Sequence, residues 1–258
     1  MITLRDLRRR PHISVSQIKT FVQCPQKFFF QYVERATPAF KPIALAFGTA
    51  WHLAVEALLE REPEQEVRQT FRDALVRQVQ SDAVPVLFED EEDLGACIDL
   101  GIKMLAVFHK TVKMPDQVVG TELPFCIKLV DPETEEVLPV PLIGAIDAVV
   151  EDQNKTTIWE LKTAKKKWSQ DQLAFDLQPT AYKMGARVHG FDGPEAKLII
   201  TTKTREPAVQ EEVVPRSKAE EQELVRVAAS VLRAIDAGVD HPVRGWQCRG
   251  CQHAGRCG

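Results

Sequence analysis

Two short stretches near the middle of the chain alternate aliphatic and polar residues: IGAID over residues 143–147 and IWELK over residues 158–162. A period of two predicts half-buried strands, and the intervening sequence EDQNK, residues 151–155, is typical of a turn. We therefore predict a β-hairpin that brings the carboxylate of Asp147 beside the carboxylate of Glu160 and the amine of Lys162.

Helical periodicity dominates the first part of the chain. Ser14 or Ser16 can cap a helix, and Pro25 suits the first turn of a second, short helix. In the next helix His52 and Glu56 are four residues apart and share a face. We expect helices over residues 14–23, 26–32 and 47–61, with Gly48 and Thr49 beginning the third, and a helical region over 64–113 that is broken near Pro85 and by the acidic run 89–93.

Strands dominate the second part of the chain. We expect strands over residues 118–129, 137–150, 156–163, 197–202 and 209–214, and helices over 170–175, from Pro179 onward and over 216–237, where Gly238 ends the last one. The length suits one elaborated domain over residues 1–258, with a helical insertion at 62–116, better than two full domains.

Composition changes this picture little. The chain contains no run of about 18 apolar residues and its first ten residues lack the apolar core of a signal peptide, so we expect a cytoplasmic protein without a membrane span. The formal net charge of −4 does not exclude DNA binding, because basic residues are needed only along a binding groove. The lysine run 165–167, just beyond Lys162, could contact a phosphate backbone.

The hairpin residues carry the first candidate chemistry. Two carboxylates can bind a hard divalent cation, and the ammonium of Lys162 can orient a water or stabilise charge on a phosphate, which together make a minimal site for hydrolysing a phosphodiester. The alternative is a solvated hairpin edge, because acids and lysines are common at strand ends. Glu122, on the preceding strand, could add an oxygen, although an exposed strand position is the simpler interpretation.

Cysteines carry the second candidate chemistry. Three of the six crowd the last eleven residues: Cys248, Cys251 and Cys257. The tail is too polar to be a buried strand, so this spacing predicts a metal site, for which Cys24 is the candidate fourth ligand. Zinc and an iron–sulfur cluster fit the spacing equally well, and His253 could replace a cysteine at zinc. Cys97 and Cys126 have no partner at a useful spacing and are expected in the core.

Several motifs follow one another along the chain: Ser14-Val15-Ser16-Gln17-Ile18 with Cys24-Pro25, Gly48-Thr49-x-x-His52, Gly144-x-x-Asp147, Glu160-x-Lys162, Gln178-x-x-x-Tyr182 and the terminal cysteine triplet. In this order they resemble the RecB-type branch of the PD-(D/E)XK nuclease superfamily. The resemblance is to its iron–sulfur members in particular, such as the CRISPR-associated exonuclease and the nuclease domain of AddB-type helicase-nucleases. It runs from about Ser14 to Cys257, nearly the whole chain.

The resemblance implies an α/β fold with a restriction-endonuclease-like core, a mixed central β-sheet flanked by helices. It implies metal ligation by His52, Asp147, Glu160 and the carbonyl of Leu161, catalysis by Lys162, and contacts of Gln178 and Tyr182 with DNA or the lysine. A histidine beside two acids suits Mn²⁺ as well as Mg²⁺. Because Pro179 is unusual inside a helix, we expect Gln178 at the N-terminal boundary of its helix.

The resemblance also favours iron–sulfur chemistry over zinc. It implies that Cys24, Cys248, Cys251 and Cys257 hold a [4Fe–4S] cluster. Residues 14–33 and 238–258 would then form a cluster region in which an iron–sulfur staple joins the N- and C-terminal segments.

The function expected from these residues is a metal-dependent DNA exonuclease that acts on single strands or DNA ends without sequence preference. DNA repair or recombination, CRISPR spacer processing and phage DNA metabolism are the candidate roles, with a helicase or a CRISPR integrase as a possible protein partner. The alternative is a non-catalytic DNA-end-binding or scaffold subunit, against which the intact Asp147, Glu160 and Lys162 argue. An electron-transfer iron–sulfur protein would leave the hairpin carboxylates unexplained.

Overall fold

Five long strands and the helices around them organise the molecule. The computed structural model describes residues 3–80, 84–89 and 92–257, so part of the predicted acidic run lies outside the described residues. The strands are β1 Lys41–Pro42, β2 Val86–Leu87, β3 Gln117–Ile127, β4 Leu142–Asp152, β5 Lys155–Ala164, β6 Glu195–Thr202 and β7 Val209–Val214. The helices are α1 Leu4–Leu7, α2 Val15–Gln23, α3 Pro25–Phe28, α4 Ile43–Leu59, α5 Glu64–Gln80, α6 Leu94–Thr111, α7 Gln170–Phe175, α8 Leu177–Val188 and α9 Lys218–Asp236. A π-helical turn spans Phe29–Val33, and 3₁₀ turns span Trp246–Cys248 and Ala254–Arg256.

The main sheet has the strand order β3-β4-β5-β6-β7. All neighbouring strands are antiparallel except β5 and β6, which are parallel. A parallel pair needs a crossover connection, and α7 and α8 supply it between β5 and β6. The expected mixed α/β class, with a mixed central sheet flanked by helices, is thereby confirmed.

The predicted hairpin is formed by β4 and β5. Gln153 and Asn154 connect the strands with positive φ angles of 50° and 61°, the backbone conformation of a tight two-residue hairpin turn. Pairing runs from Asp152 opposite Lys155 to Ala148 opposite Trp159 and stops there. Asp147 is therefore the first residue of β4, counted from the turn, that is no longer paired with β5.

Two helical layers cover the sheet. On one face α4, α5 and α6 pack around Trp51, Phe71 and Phe108, none of which is exposed to solvent. On the other face α2, α8 and α9 pack against a second core cluster. Ile146 belongs to the second cluster and Ala148 to the first, although two residues along a regular strand share a face. The alternation of β4 thus switches at Asp147, where the strand leaves β5.

The predicted starts of β4 and α4 were wrong, and prolines lie beside both. Strand β4 begins at Leu142, five residues later than expected, because Pro139 and Pro141 cannot donate to a ladder; Val137 makes only an isolated bridge. Helix α4 begins at Ile43, directly after Pro42, and not at residue 47. The Gly48-Thr49 pair therefore lies inside the helix rather than at its beginning.

Two further expectations need correction. Helix α8 begins at Leu177 with Asp176 as its N-cap, so Pro179 occupies the first turn, where a missing N–H costs little. Cys97 is buried as expected, whereas Cys126 is exposed on β3. Helices α5 and α6 fall within the expected insertion at 62–116, and they pack on α4.

Candidate functional site

Asp147 occupies the point where β4 and β5 separate. Its carboxylate accepts two hydrogen bonds where the backbone pairing of β4 with β5 ends. The Leu161 N–H donates to Oδ2 at 2.7 Å, and the Tyr182 hydroxyl donates to Oδ1 at 2.8 Å. Burial raises the pKa of Asp147, against the opposing effects of His52, the Leu161 N–H, Lys162 and Tyr182. The carboxylate is consequently fixed in orientation by two donors from separate elements.

His52 and Glu122 meet this carboxylate from the side of α4. The Nδ1 atom of His52 lies 3.6 Å from Asp147 Oδ1 and 3.8 Å from Glu122 Oε1. One ligand atom from each of the three residues falls within 4.8 Å of the others, a spacing that could hold a metal ion. Burial opposes the charged imidazolium, but Glu122, Asp147 and Glu160 outweigh it and raise the pKa of His52. One nitrogen and two carboxylates form a donor set suited to Mn²⁺ or Mg²⁺.

Glu122 reaches this group through a local departure from strand geometry. Its φ angle is +47°, and the register between β3 and β4 shifts nearby, between Val118 and Gly120. Such irregularities re-aim side chains along a strand. The Glu122 side chain is 51% exposed, as expected from the sequence, and the local irregularity explains how this exposed carboxylate also lies beside His52.

Glu160 and Lys162 lie two residues apart on β5 and form an ion pair. Glu160 is only 2% exposed, and its Oε2 atom has no hydrogen-bond partner. Burial raises the pKa of Glu160 to about 7 although Lys162 opposes the shift. Burial alone would lower the pKa of Lys162, but Glu160, Asp176 and Asp147 raise it. A buried carboxylate oxygen without a donor is a position that a cation could satisfy.

The structure therefore divides the predicted ligands. Among the described residues, His52 and Asp147 form a close group with Glu122, while Glu160 lies beside that group and is paired with Lys162. The N–H and C=O groups of one strand residue point to the same side of the strand. The Leu161 N–H donates to Asp147, so the Leu161 carbonyl also points towards the opening between β4 and β5.

Helix α8 adds two residues to this region. Tyr182 is 3% exposed, and burial raises the pKa of its hydroxyl well above the ordinary value, which keeps it a donor to Asp147. Gln178 is the second residue of α8, as expected near its boundary, and its side chain interacts with the Tyr182 hydroxyl.

A second ion pair, absent from the expectations, supports α8 from outside. Lys19 of α2 contacts Asp176 Oδ1 at 2.6 Å, and the same oxygen accepts from the Gln178 N–H at 2.9 Å. Burial favours the neutral form of Asp176, but Lys19 and Lys162 outweigh it and hold its pKa below the ordinary value.

The four predicted cysteine ligands line one pocket between α2 and the C-terminal tail, together with Phe30, Val243 and His253. Cys24 ends α2, and its sulfur accepts from the Val243 N–H at 3.5 Å. The Cys257 thiol donates to Gln26 Oε1 at 2.7 Å. Over the described part of the chain, no three of the four sulfurs lie within 4.8 Å of one another.

The tail is tied to the N-terminal segment by a few direct contacts. The Gln26 N–H donates to the His241 carbonyl at 3.2 Å, and the Ala39 N–H donates to the Gln252 carbonyl at 2.9 Å. Arg256 pairs with Glu34 at 3.2 Å. These contacts bring the two ends of the chain together at the cysteine pocket.

The structure thus has a mixed sheet with a carboxylate-lined opening between two of its strands, and sequence comparison shows the family to which such a chain belongs. The profile of the PD-(D/E)XK nuclease superfamily matches residues 12–258. The chain belongs to the PD-(D/E)XK nuclease superfamily.

A solved structure shares this fold. The protein named "Putative exonuclease" from Eubacterium rectale aligns with a TM-score of 0.57 at 14% identity, over 94% of this chain and 87% of that chain. The protein SSO0001 aligns with a TM-score of 0.46 at 16% identity, over 98% of this chain and 91% of that chain. No curated protein matches the sequence significantly. Among the described residues, no helix has the length and apolar character needed to cross a membrane.

Proposed function

We propose that this nuclease is a divalent-metal-dependent exonuclease that hydrolyses phosphodiester bonds in single-stranded DNA or at DNA ends. The observation that carries the proposal is the convergence of His52, Asp147 and Glu122 beside the buried pair of Glu160 and Lys162. A solvated hairpin edge would not bury Glu160 to 2% exposure with an oxygen that lacks a donor.

The donor set fits Mn²⁺ or Mg²⁺. His52, Asp147, Glu160 and the Leu161 carbonyl would hold the cation, and Glu122 is an additional candidate ligand because of its place in the close group. A divalent cation at this position supplies positive charge that stabilises the phosphoryl oxygens and favours ionisation of the attacking water.

The chain's own residues would prepare the remaining steps. Lys162 keeps its positive charge and is placed by Glu160, so its ammonium can orient the attacking water and stabilise negative charge on the phosphate. Tyr182 and the Leu161 N–H hold Asp147 in one orientation, which limits reorganisation during the reaction. Attack in line with the scissile bond would leave a 5′-phosphate on one product.

An open groove supports the preference for unpaired DNA. The groove reaches His52 and Glu122 and is lined by Arg8, Leu45 and Leu53. Leu45 is 57% exposed and Leu53 is 40% exposed, so apolar surface is available for unpaired bases. Arg8 can contact a phosphate without reading sequence.

We further propose that the four cysteines hold a [4Fe–4S] cluster rather than one zinc ion. Four thiolates at about 2.3 Å from one tetrahedral zinc lie about 3.8 Å apart. Here no three of the sulfurs, all of them in the described residues, come within 4.8 Å of one another. A cluster of four irons spaces its thiolates more widely, which agrees better with this pocket. Such a group would stabilise the junction of residues 14–33 with 238–257, where the Gln26 N–H already donates to the His241 carbonyl and the Val243 N–H donates to the Cys24 sulfur.

The nuclease proposal is tested with purified protein, end-labelled single-stranded DNA and Mn²⁺. We expect Asp147→Ala and Lys162→Ala to lower the cleavage rate by about 1,000-fold, since each removes a group that acts directly on the metal or the phosphate. Lys155→Ala is the matched control, because Lys155 lies at the other end of β5 and pairs with Glu195.

Two outcomes would count against the proposal. Cleavage that survives both active-site substitutions would show that the activity lies elsewhere. DNA binding by the wild-type protein without any turnover would favour the non-catalytic end-binding alternative.

A further inference from the structure

His253 in the C-terminal tail is a buried histidine whose ring nitrogens make no hydrogen bonds. It is 2% exposed, yet neither Nδ1 nor Nε2 has a hydrogen-bond partner. Its ring packs against Phe30 with a centroid distance of 5.9 Å. A buried polar atom left without a partner costs about 1–3 kcal/mol. Both ring nitrogens of one histidine are therefore unpaired in a place where water does not reach them.

The pocket around His253 narrows the choice of partner. His253 lines the same pocket as Cys24, Cys248, Cys251 and Cys257. Among the other lining residues, Gln247 already donates to the Val243 carbonyl at 3.0 Å, and the Val243 N–H donates to the Cys24 sulfur. A group bound by the four cysteines would occupy the same pocket as the imidazole and could supply its missing partner.

We propose that His253 donates an N–H hydrogen bond to a sulfur of the iron–sulfur cluster and thereby raises the reduction potential of that cluster. This inference rests on the proposed cluster and names a positioning residue for it, not a fifth ligand, because four thiolates already complete a [4Fe–4S] unit. Reduction adds negative charge to the cluster sulfurs. A donor aimed at one of them stabilises the reduced form more than the oxidised form, and the potential rises.

The first experiment compares anaerobically purified wild-type protein with His253→Leu and His253→Gln. Leucine removes the donor, whereas the amide of glutamine can still donate. His241→Leu is the matched control, because His241 lies in the same tail and is exposed. Iron and sulfide per chain are measured first, and the reduction potential is then titrated by absorbance near 400 nm.

We expect all four proteins to hold the same amount of iron. At a fixed potential the ratio of reduced to oxidised cluster should fall about tenfold in His253→Leu, which is about 59 mV for one electron. His253→Gln should recover part of this loss and His241→Leu should match the wild type. An unchanged potential in His253→Leu at full iron content would overturn the inference, and a loss of iron in both His253 variants would identify a ligand instead of a donor.

A second measurement uses only the wild-type protein and so does not depend on whether a variant folds. Pulsed electron paramagnetic resonance of the reduced wild-type cluster, labelled with ¹⁵N-histidine, should show a weak nitrogen coupling and an exchangeable proton. Absence of coupling overturns the inference, and a strong coupling again indicates direct ligation. A wild-type protein without iron and sulfide defeats the cluster proposal itself, which the iron analysis reports separately from the role of His253.

Discussion

The hairpin site and the cysteine pocket both gather residues that are far apart in sequence, but they do so in different ways. Asp147 is held by a tyrosine hydroxyl and a backbone N–H, and Glu160 is held by Lys162, all from regular strands and helices. The cysteines instead lie at the end of α2 and among short 3₁₀ turns, with one backbone N–H at 3.5 Å from the sulfur of Cys24.

The fold alone holds the side chains of the hairpin site in place, whereas the cysteine pocket depends on a bound group to hold its residues together. The sheet and α8 are buried through their own side chains, so the hairpin residues need no ion to stay in place. The tail has little core of its own, and its exposed Trp246 adds no burial. We infer that a group bound by the cysteines contributes to folding, whereas a cation at the hairpin contributes to catalysis.

The largest expected effect on stability comes from breaking the cysteine pocket. Cys24→Ala should lower the free energy of unfolding by about 3 kcal/mol or more, because the binding energy of the group that joins the two ends of the chain is lost. For a chain of this length that corresponds to about 6–12 °C in melting temperature. Thermal unfolding followed by circular dichroism measures the difference.

Two controls sharpen this result. Cys126→Ala removes an exposed thiol and should melt like the wild type. Removing Mg²⁺ and Mn²⁺ with a chelator should abolish cleavage yet leave the melting temperature nearly unchanged. If the chelator lowered the melting temperature as much as Cys24→Ala does, the cation at the hairpin would also contribute to folding, and the proposed difference between the two regions would be wrong.

A smaller effect should follow from Tyr182→Phe, which keeps the ring but removes the donor to Asp147 Oδ1. Loss of a group that orients a metal ligand costs about 10–100-fold in metal affinity or activity. We therefore expect Tyr182→Phe to lower the cleavage rate by about 10–100-fold. The rate is measured on end-labelled DNA at increasing concentrations of Mn²⁺. Tyr32→Phe is the control, because the other tyrosine of the chain packs against the ring of Phe28. A fully active Tyr182→Phe protein would show that Asp147 needs no such restraint.

The parts of the fold that sequence could predict are those governed by local rules. Alternation and turn residues predict the β4–β5 hairpin, and its register follows from the short turn at Gln153 and Asn154. The capping residue Ser14 identifies the start of α2 at Val15. The starts of β4 and α4 differ from the prediction and lie beside prolines, which hydrophobic periodicity does not take into account.

The parts of the site that sequence could not predict depend on geometry between distant elements. Glu122 lies close to His52 and Asp147 because of a positive φ angle and a register shift in β3. The residue pattern of β3 does not predict either feature. Lys19 and Asp176 are separated by 157 positions along the chain and become neighbours only when α2 packs beside the N-terminus of α8. Periodicity describes one element at a time, so contacts of this kind remain invisible to it.

The smallest expected effect concerns the contact that links the two regions. Lys19 lies on α2, which ends at Cys24, and its partner Asp176 caps α8, which carries Tyr182. Lys19→Met should lower the free energy of unfolding by about 1 kcal/mol at pH 7, a value kept small because 45% of the lysine side chain is exposed and solvent screens the pair. Urea unfolding measures this loss. Lys113→Met, at an exposed pair with Asp152, is the control and should show no measurable loss.

The pH dependence of that loss tests its electrostatic origin. The pKa of Asp176 in the folded protein lies below its ordinary value of 3.8, so the contribution of the pair is fully present above about pH 4. It is lost as the pH falls through the folded pKa, because the carboxylate is then protonated in both states. The difference between Lys19→Met and the wild type should therefore persist from pH 7 to pH 5 and shrink below pH 4. A difference that stayed constant down to pH 3 would mean that Lys19 acts through packing of its aliphatic stem, and the link between the two regions would then not be an ion pair.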